Sequence, residues 1–176
     1  ARRAALGLGG GRAAAAAAPR GRAEEPAVGR ARVVRREEGG EEHAARVARQ
    51  AVFDGYTVAW DADVSEKGFS FRNGMALMPA EGEEAKMFQE VIAEAKVSQA
   101  SRQVGFENHT TTDDHLMHIV GLAQDQNGKE YFVIKNSWGD GNPYGGRQYI
   151  SMAYFKAKTI AVTLHRDAMQ SGGKRR

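Results

Sequence analysis

Apolar and polar residues alternate along much of the second half of the chain, which predicts β-strands separated by turns. The segments with this pattern, or with a short β-branched run, are residues 56 to 64, 115 to 120, 130 to 136, 147 to 152 and 158 to 164. Asn127-Gly128 is a pair typical of a tight hairpin, so the two strands around it should be antiparallel. Residues 69 to 78 contain glycine and predict an irregular segment with one short strand.

Two segments instead carry apolar residues at helical spacing. Residues 41 to 51 begin with glutamates and place Val47 and Ala51 on one face, which predicts a helix. Residues 83 to 98 predict a second, amphipathic helix. Its apolar positions are Met87, Val91, Ile92 and Ala95. Several antiparallel strands with peripheral helices predict an α+β domain.

The composition of the first fifty residues differs from that of the rest. They hold eleven arginines, six glutamates and long alanine and glycine runs, with no lysine, aspartate, phenylalanine, tyrosine or tryptophan. Such a segment buries too little apolar surface to offset its chain entropy. We therefore predict a disordered, dispensable leader over residues 1 to 42, a folded domain over residues 43 to 169 and a basic tail over residues 170 to 176. The net charge of +3 then reflects the leader.

Composition also bears on partners and location. No apolar run reaches the 18 residues that a membrane span needs, so we expect no membrane insertion and a cytoplasmic location. The arginine-rich leader favours nucleic acid in principle, but glutamates interrupt it and no aromatic residue is available for stacking, so this remains the weaker alternative. We expect no metal, because the side chains of His115 and His118 would diverge on a strand.

The strand pattern brings a histidine and an asparagine together. If residues 115 to 120 form a strand, His115 shares a face with Met117 and Ile119, and His118 lies on the opposite face, where we expect a core histidine. The hairpin brings the start of this strand near the end of the next one, so His115 should approach Asn136. An asparagine that orients a histidine base is one half of a Cys-His-Asn peptidase site.

Residues 114 to 121 and 131 to 139, the latter ending in Asn-Ser-Trp-Gly, resemble the second half of a papain-like cysteine peptidase. Residues 55 to 64, 111 to 115, 123 to 128 and 164 to 168 are similar to the aminopeptidase C and bleomycin hydrolase branch. The resemblance implies the right-hand domain of that fold, an antiparallel sheet or half-barrel. It implies that His115 is the general base, that Asn136 orients it and that Trp138 shields their hydrogen bond from water.

The sequence contains no cysteine, so the nucleophile that this chemistry needs is missing from it. No serine is expected to replace the thiol, because none lies at a helix start in the expected order. We expect an inactive fragment of a cysteine aminopeptidase, without cofactor, whose partners are a peptide substrate or a thiol-bearing half-domain. A non-catalytic pseudo-peptidase that binds peptides is the alternative. The resemblance also implies a homo-hexamer, but the tail departs from the family's ending, and substrate preference stays open.

Overall fold

The computed structural model describes residues 31–35 and 40–169. The strands are β1 (Ala31–Arg35), β2 (Val58–Ala62), β3 (Phe69–Ser70), β4 (Met75–Ala76), β5 (His115–Gln124), β6 (Glu130–Lys135), β7 (Arg147–Ser151) and β8 (Thr159–His165). The helices are α1 (Gly40–Phe53), α2 (Gln99–Glu107) and α3 (Met152–Lys158), with short 3-10 turns at Glu84–Lys86 and Arg166–Met169. These elements form the predicted α+β architecture.

All eight described strands form one open sheet in the order β1-β8-β2-β5-β6-β7-β4-β3. Every neighbouring pair is antiparallel except β4 and β7, which run parallel, so the sheet is mixed where a purely antiparallel one was expected. The predicted hairpin is present: β5 and β6 pair down to Gln124 and Glu130. Gly128 in the turn has φ 82°, a left-handed conformation that favours glycine.

The main core lies between one face of the sheet and the helices α1 and α3. Helix α1 approaches closely because its inward positions are alanines, among them the fully buried Ala48 and Ala51. Helix α3 supplies Phe155, whose ring stacks on Trp60 of β2 with centroids 5.3 Å apart. The indole of Trp60 donates a hydrogen bond to Thr159 Oγ1 at 2.8 Å, which satisfies its one polar atom. This core fixes the strands that carry the histidine and the asparagine.

The predicted helix over residues 83 to 98 is wrong. Only Glu84–Lys86 makes a 3-10 turn, and Phe88 has φ 64°, which an α-helix cannot contain. The backbone around Glu94 instead pairs with that around Pro79, and Ala95 donates to the Met78 carbonyl at 2.9 Å. The apolar spacing was real but serves a second small core around Leu77, Ile92 and Tyr131. Helix α2, which begins after this segment, was not predicted.

The structure also differs from the predicted leader at residues 31 to 35. These residues form β1, an edge strand that pairs with β8 along its whole length. Val34 is buried in the main core and only 1% exposed, and two adjacent valines suit an extended strand. The folded unit therefore includes residues N-terminal to the expected boundary at residue 43. Residues 1 to 30 of the predicted leader and the predicted tail over residues 170 to 176 lie outside the described residues.

Candidate active site

Strand β5 places its first residue at the edge of the core. Its side chains alternate as predicted: Met117 and Ile119 are buried, whereas Leu116, His118 and Val120 point to the exposed face. His115 lies on the inward face but at the strand's end, so its ring is only partly buried. His118 is exposed and is not the core histidine that we expected, because the outer face of β5 is open to solvent at Leu116, His118 and Val120.

The structure brings His115 and Asn136 together. His115 Nε2 lies 2.8 Å from Asn136 Oδ1, a normal hydrogen-bond distance. The Asn136 oxygen also accepts a bond from the Ser137 backbone N–H at 2.7 Å, so the oxygen side of the amide faces the imidazole. A neutral His115 must then carry its proton on Nε2. Nδ1 is left as the atom that can accept a proton, and no hydrogen bond to it is formed by the described residues.

Trp138 covers this pair from one side. Its ring stacks on the His115 imidazole with centroids 4.9 Å apart and an interplanar angle of 16°. Phe69 and Phe71 contact the indole in T-shaped arrangements, with centroids 5.9 Å and 5.7 Å away. Trp138 is nevertheless 44% exposed. The stacked indole covers one face of the imidazole and leaves an apolar surface beside it.

Gln148 of β7 is a site residue that the sequence reasoning missed. Its side chain is fully buried, and its Oε1 accepts a hydrogen bond from Asn136 Nδ2 at 3.2 Å. Its own Nε2 has no hydrogen-bond partner among the described residues. A signal was present: within residues 147 to 152 the alternation predicts that Gln148 and Ile150 face inward, and a glutamine at a core position needs a polar partner.

A pair of carboxyl groups lies near the histidine on the outer face of the sheet. Asp61 of β2 is opposite Leu116 of β5, and Asp61, Asp113 and Leu116 line one shallow hollow together with Val33 of β1. Burial, followed by the charge and hydrogen bond of Asp113, raises the pKa of Asp61 from 3.8 to about 6, while His115 opposes the shift.

A buried ionic cluster anchors the segment that leads into His115. Lys158 at the end of α3 is 4% exposed, and its ammonium contacts the carboxylates of Asp63 and Glu66. The same ammonium donates to the carbonyl of Thr110 at 2.7 Å and to Thr111 Oγ1 at 3.2 Å. Asp63, which is fully buried, also accepts from the Thr112 backbone N–H at 3.3 Å. The chain just ahead of β5 is thereby tied to the ends of β2 and α3.

Two serines begin helices, and one of them, Ser98, precedes His115 in the chain, where we expected no serine at a helix start. Ser98 is the N-cap of α2 in a capping box with Ser101, and Ser151 caps α3. Both hydroxyls are occupied by capping contacts, and neither is hydrogen-bonded to His115. Among the described residues, no three histidine, aspartate or glutamate side chains converge as metal ligands. The described helices include none long and apolar enough to cross a bilayer.

A model of the papain family cysteine proteases matches residues 78–168, just over half of the chain, and this chain therefore belongs to that family. The matched segment contains His115, Asn136, Trp138 and Gln148. A comparison with curated proteins found no match.

Three solved structures are similar to part of this chain, and the first of them has a TM-score above 0.5. The crystal structure of PepW from Lactobacillus rhamnosis superposes with a TM-score of 0.54 at 15% identity, over 74% of this chain and 28% of the other. Bromelain from Ananas comosus with the inhibitor E64 has a TM-score of 0.42 at 16% identity, over 74% of this chain and 47% of the other. The ragweed pollen protease Amb a 11, in its proform, has a TM-score of 0.45 at 16% identity, over 77% of this chain and 32% of the other. The chain thus spans less than half the length of each of these proteins.

Proposed function

We propose that these residues are the base-bearing half of a papain-like cysteine peptidase, in which His115 and Asn136 act on a thiol supplied from outside this sequence. The observation that carries the proposal is the 2.8 Å contact between His115 Nε2 and Asn136 Oδ1, which leaves Nδ1 available. In the reaction, Nδ1 takes the proton of a cysteine thiol, and the thiolate attacks the peptide carbonyl. The same nitrogen then returns the proton to the leaving amine.

The thiol has to come from another segment or another chain, because the sequence has no cysteine. Trp138, which stacks on the imidazole and is 44% exposed, provides an apolar surface that a thiol-bearing half-domain could cover. These 176 residues alone should therefore not hydrolyse peptides. We further propose the aminopeptidase C and bleomycin hydrolase branch, which the sequence similarity of residues 55 to 64 and 111 to 115 supports. Peptides with a free amino terminus are the corresponding substrate class.

An active-site probe tests the proposal in cells of the source organism. The chromosomal gene is replaced by versions carrying His115→Ala or His118→Ala, and extracts are treated with a biotinylated epoxysuccinyl reagent, which alkylates activated cysteine thiols. His118→Ala is the matched control, because His118 lies on the same strand but on its exposed face. We expect one labelled protein, containing this chain or bound to it, that disappears in His115→Ala and persists in His118→Ala.

The same experiment distinguishes the second candidate, a non-catalytic domain that binds peptides. The absence of cysteine is the observation that favours this candidate. If the chain is a pseudo-peptidase, no probe-labelled protein will depend on His115, and the peptidase proposal is then wrong. Labelling that is lost equally in both variants would mean that the histidines act through folding and not through thiol activation.

A further inference from the structure

We infer that Gln148 is a positioning residue, which sets the orientation of the Asn136 amide and through it the tautomer of His115. Asn136 is only 7% exposed, so its Nδ2 group cannot turn to water for a partner. The acceptor it reaches is Gln148 Oε1, 3.2 Å away. The amide is therefore held at both ends, by the Ser137 N–H on its oxygen and by Gln148 on its nitrogen.

The amide of an asparagine has two orientations of nearly equal shape, and its partners select one of them. In the observed orientation Oδ1 faces His115 Nε2, which keeps the imidazole proton on Nε2 and the lone pair on Nδ1. In the reversed orientation Nδ2 would face Nε2 and favour the opposite tautomer, in which Nδ1 already carries a proton and cannot accept one. The Ser137 N–H selects the observed orientation at the oxygen, and Gln148 Oε1 stabilises the same orientation by accepting from Nδ2.

The position of Gln148 suits this role at a measurable cost. Gln148 lies on β7 opposite Ile134 of β6, and both side chains are buried in the core. Ile134 lies two residues before Asn136, which directly follows β6. Its side chain is fully buried with Nε2 unpartnered among the described residues, which destabilises the fold. An apolar residue of similar volume would avoid this cost and lose the acceptor for Asn136. The inference deepens the proposed function. It rests on that proposal in one respect, which is that the Nε2–H form of His115 is the form able to accept the proton of a thiol.

The test is an NMR titration of the imidazoles in the full 176-residue chain, labelled with ¹⁵N-histidine, with the His115 signals assigned by their absence in His115→Ala. The wild type should show neutral His115 mainly as the Nε2–H tautomer. Gln148→Leu should lower the Nε2–H to Nδ1–H ratio about fivefold, the factor that corresponds to one hydrogen bond. Gln148→Glu keeps an acceptor in front of Asn136 Nδ2, so it should preserve the tautomer ratio of the wild type.

Ile150→Val is the matched control, because Ile150 lies on the same strand and faces the same core as Gln148. It should reduce stability without changing the tautomer ratio of His115. The inference is overturned if Gln148→Leu leaves the tautomer ratio as Ile150→Val does. If Gln148→Leu does not fold, Gln148→Glu decides, and loss of the Nε2–H tautomer in that variant, which keeps the acceptor, overturns the inference. No turnover is measured, so this outcome is independent of the probe labelling that tests the peptidase proposal.

Discussion

Removal of Asp63 should cost far more stability than removal of Glu66, although both carboxylates contact the same Lys158 ammonium. Asp63 is fully buried and accepts bonds from Ser65 N at 2.8 Å and Ser65 Oγ at 2.7 Å, besides those from Thr112 and Lys158. The carboxylate of Glu66 is 35% exposed. In Asp63→Ala a lysine that is only 5% exposed loses its buried counter-ion. Breaking such a pair costs about 3–5 kcal/mol, whereas losing a partly exposed partner costs less than about 1 kcal/mol.

Urea denaturation, followed by the fluorescence of the buried Trp60, measures both variants under the same conditions. With a denaturant dependence of about 2 kcal/mol/M, Asp63→Ala should lower the unfolding midpoint by about 2 M and Glu66→Ala by less than about 0.5 M. Equal losses, or a loss below about 1 kcal/mol for Asp63→Ala, would refute the reasoning that burial sets the importance of this cluster. Asp63→Asn, which keeps the acceptor oxygen without the charge, should give an intermediate value.

Further variants test other parts of the molecule by urea unfolding followed by circular dichroism, which does not depend on either tryptophan. Asp61→Asn should raise stability at pH 7 by about 1 kcal/mol after allowance for solvent screening. The pKa of Asp61 is about 6 in the folded state and 3.8 in the unfolded state, so the wild type should lose stability relative to this variant as pH rises from 4 to 7. If the two proteins have parallel curves of stability against pH, the carboxyl pair does not have this effect. Trp138→Ala should lower the free energy of unfolding by no more than about 2 kcal/mol, mainly through lost aromatic stacking. Trp60→Ala, at a buried position, should lower it by about 3–5 kcal/mol. Equal losses would mean that Trp138 is a core residue. Deletion of residues 1 to 40 should lower the free energy of unfolding by at least about 2 kcal/mol, because it removes β1 and the buried Val34. Deletion of residues 1 to 30 should change it little, and equal effects of the two deletions would contradict the role of β1.

The site was more predictable from the sequence than its surroundings. Strand alternation and the hairpin at Asn127-Gly128 depend on neighbouring residues, and these local signals placed His115 close to Asn136. Residues 83 to 98 were predicted as a helix because their apolar spacing is helical, but distant partners decided otherwise: Glu94 is held by Ser151 and Lys129. Tertiary contacts of this kind leave no mark on local periodicity.

The strand β1 and the role of Gln148 were missed for related reasons. The composition averaged over the whole predicted leader is that of a disordered segment, and residues 31 to 35 are part of that average. Within them, only the two adjacent valines indicate a strand. Gln148 is a polar residue at an inward position of a predicted strand, a local conflict that often marks a functional site. Strand alternation separated the two faces of β5 correctly, but we expected the outer face to be covered, which placed His118 in the core.

Turnover of fluorogenic aminoacyl and peptidyl reporters by the purified 176-residue chain measures whether these residues hold a nucleophile in addition to the base and its orienting amide. We expect no hydrolysis above the buffer rate, for the wild type and for His115→Ala alike. Hydrolysis by the wild type that survives iodoacetamide and is lost in His115→Ala would contradict this expectation, because another nucleophile would then lie within these residues.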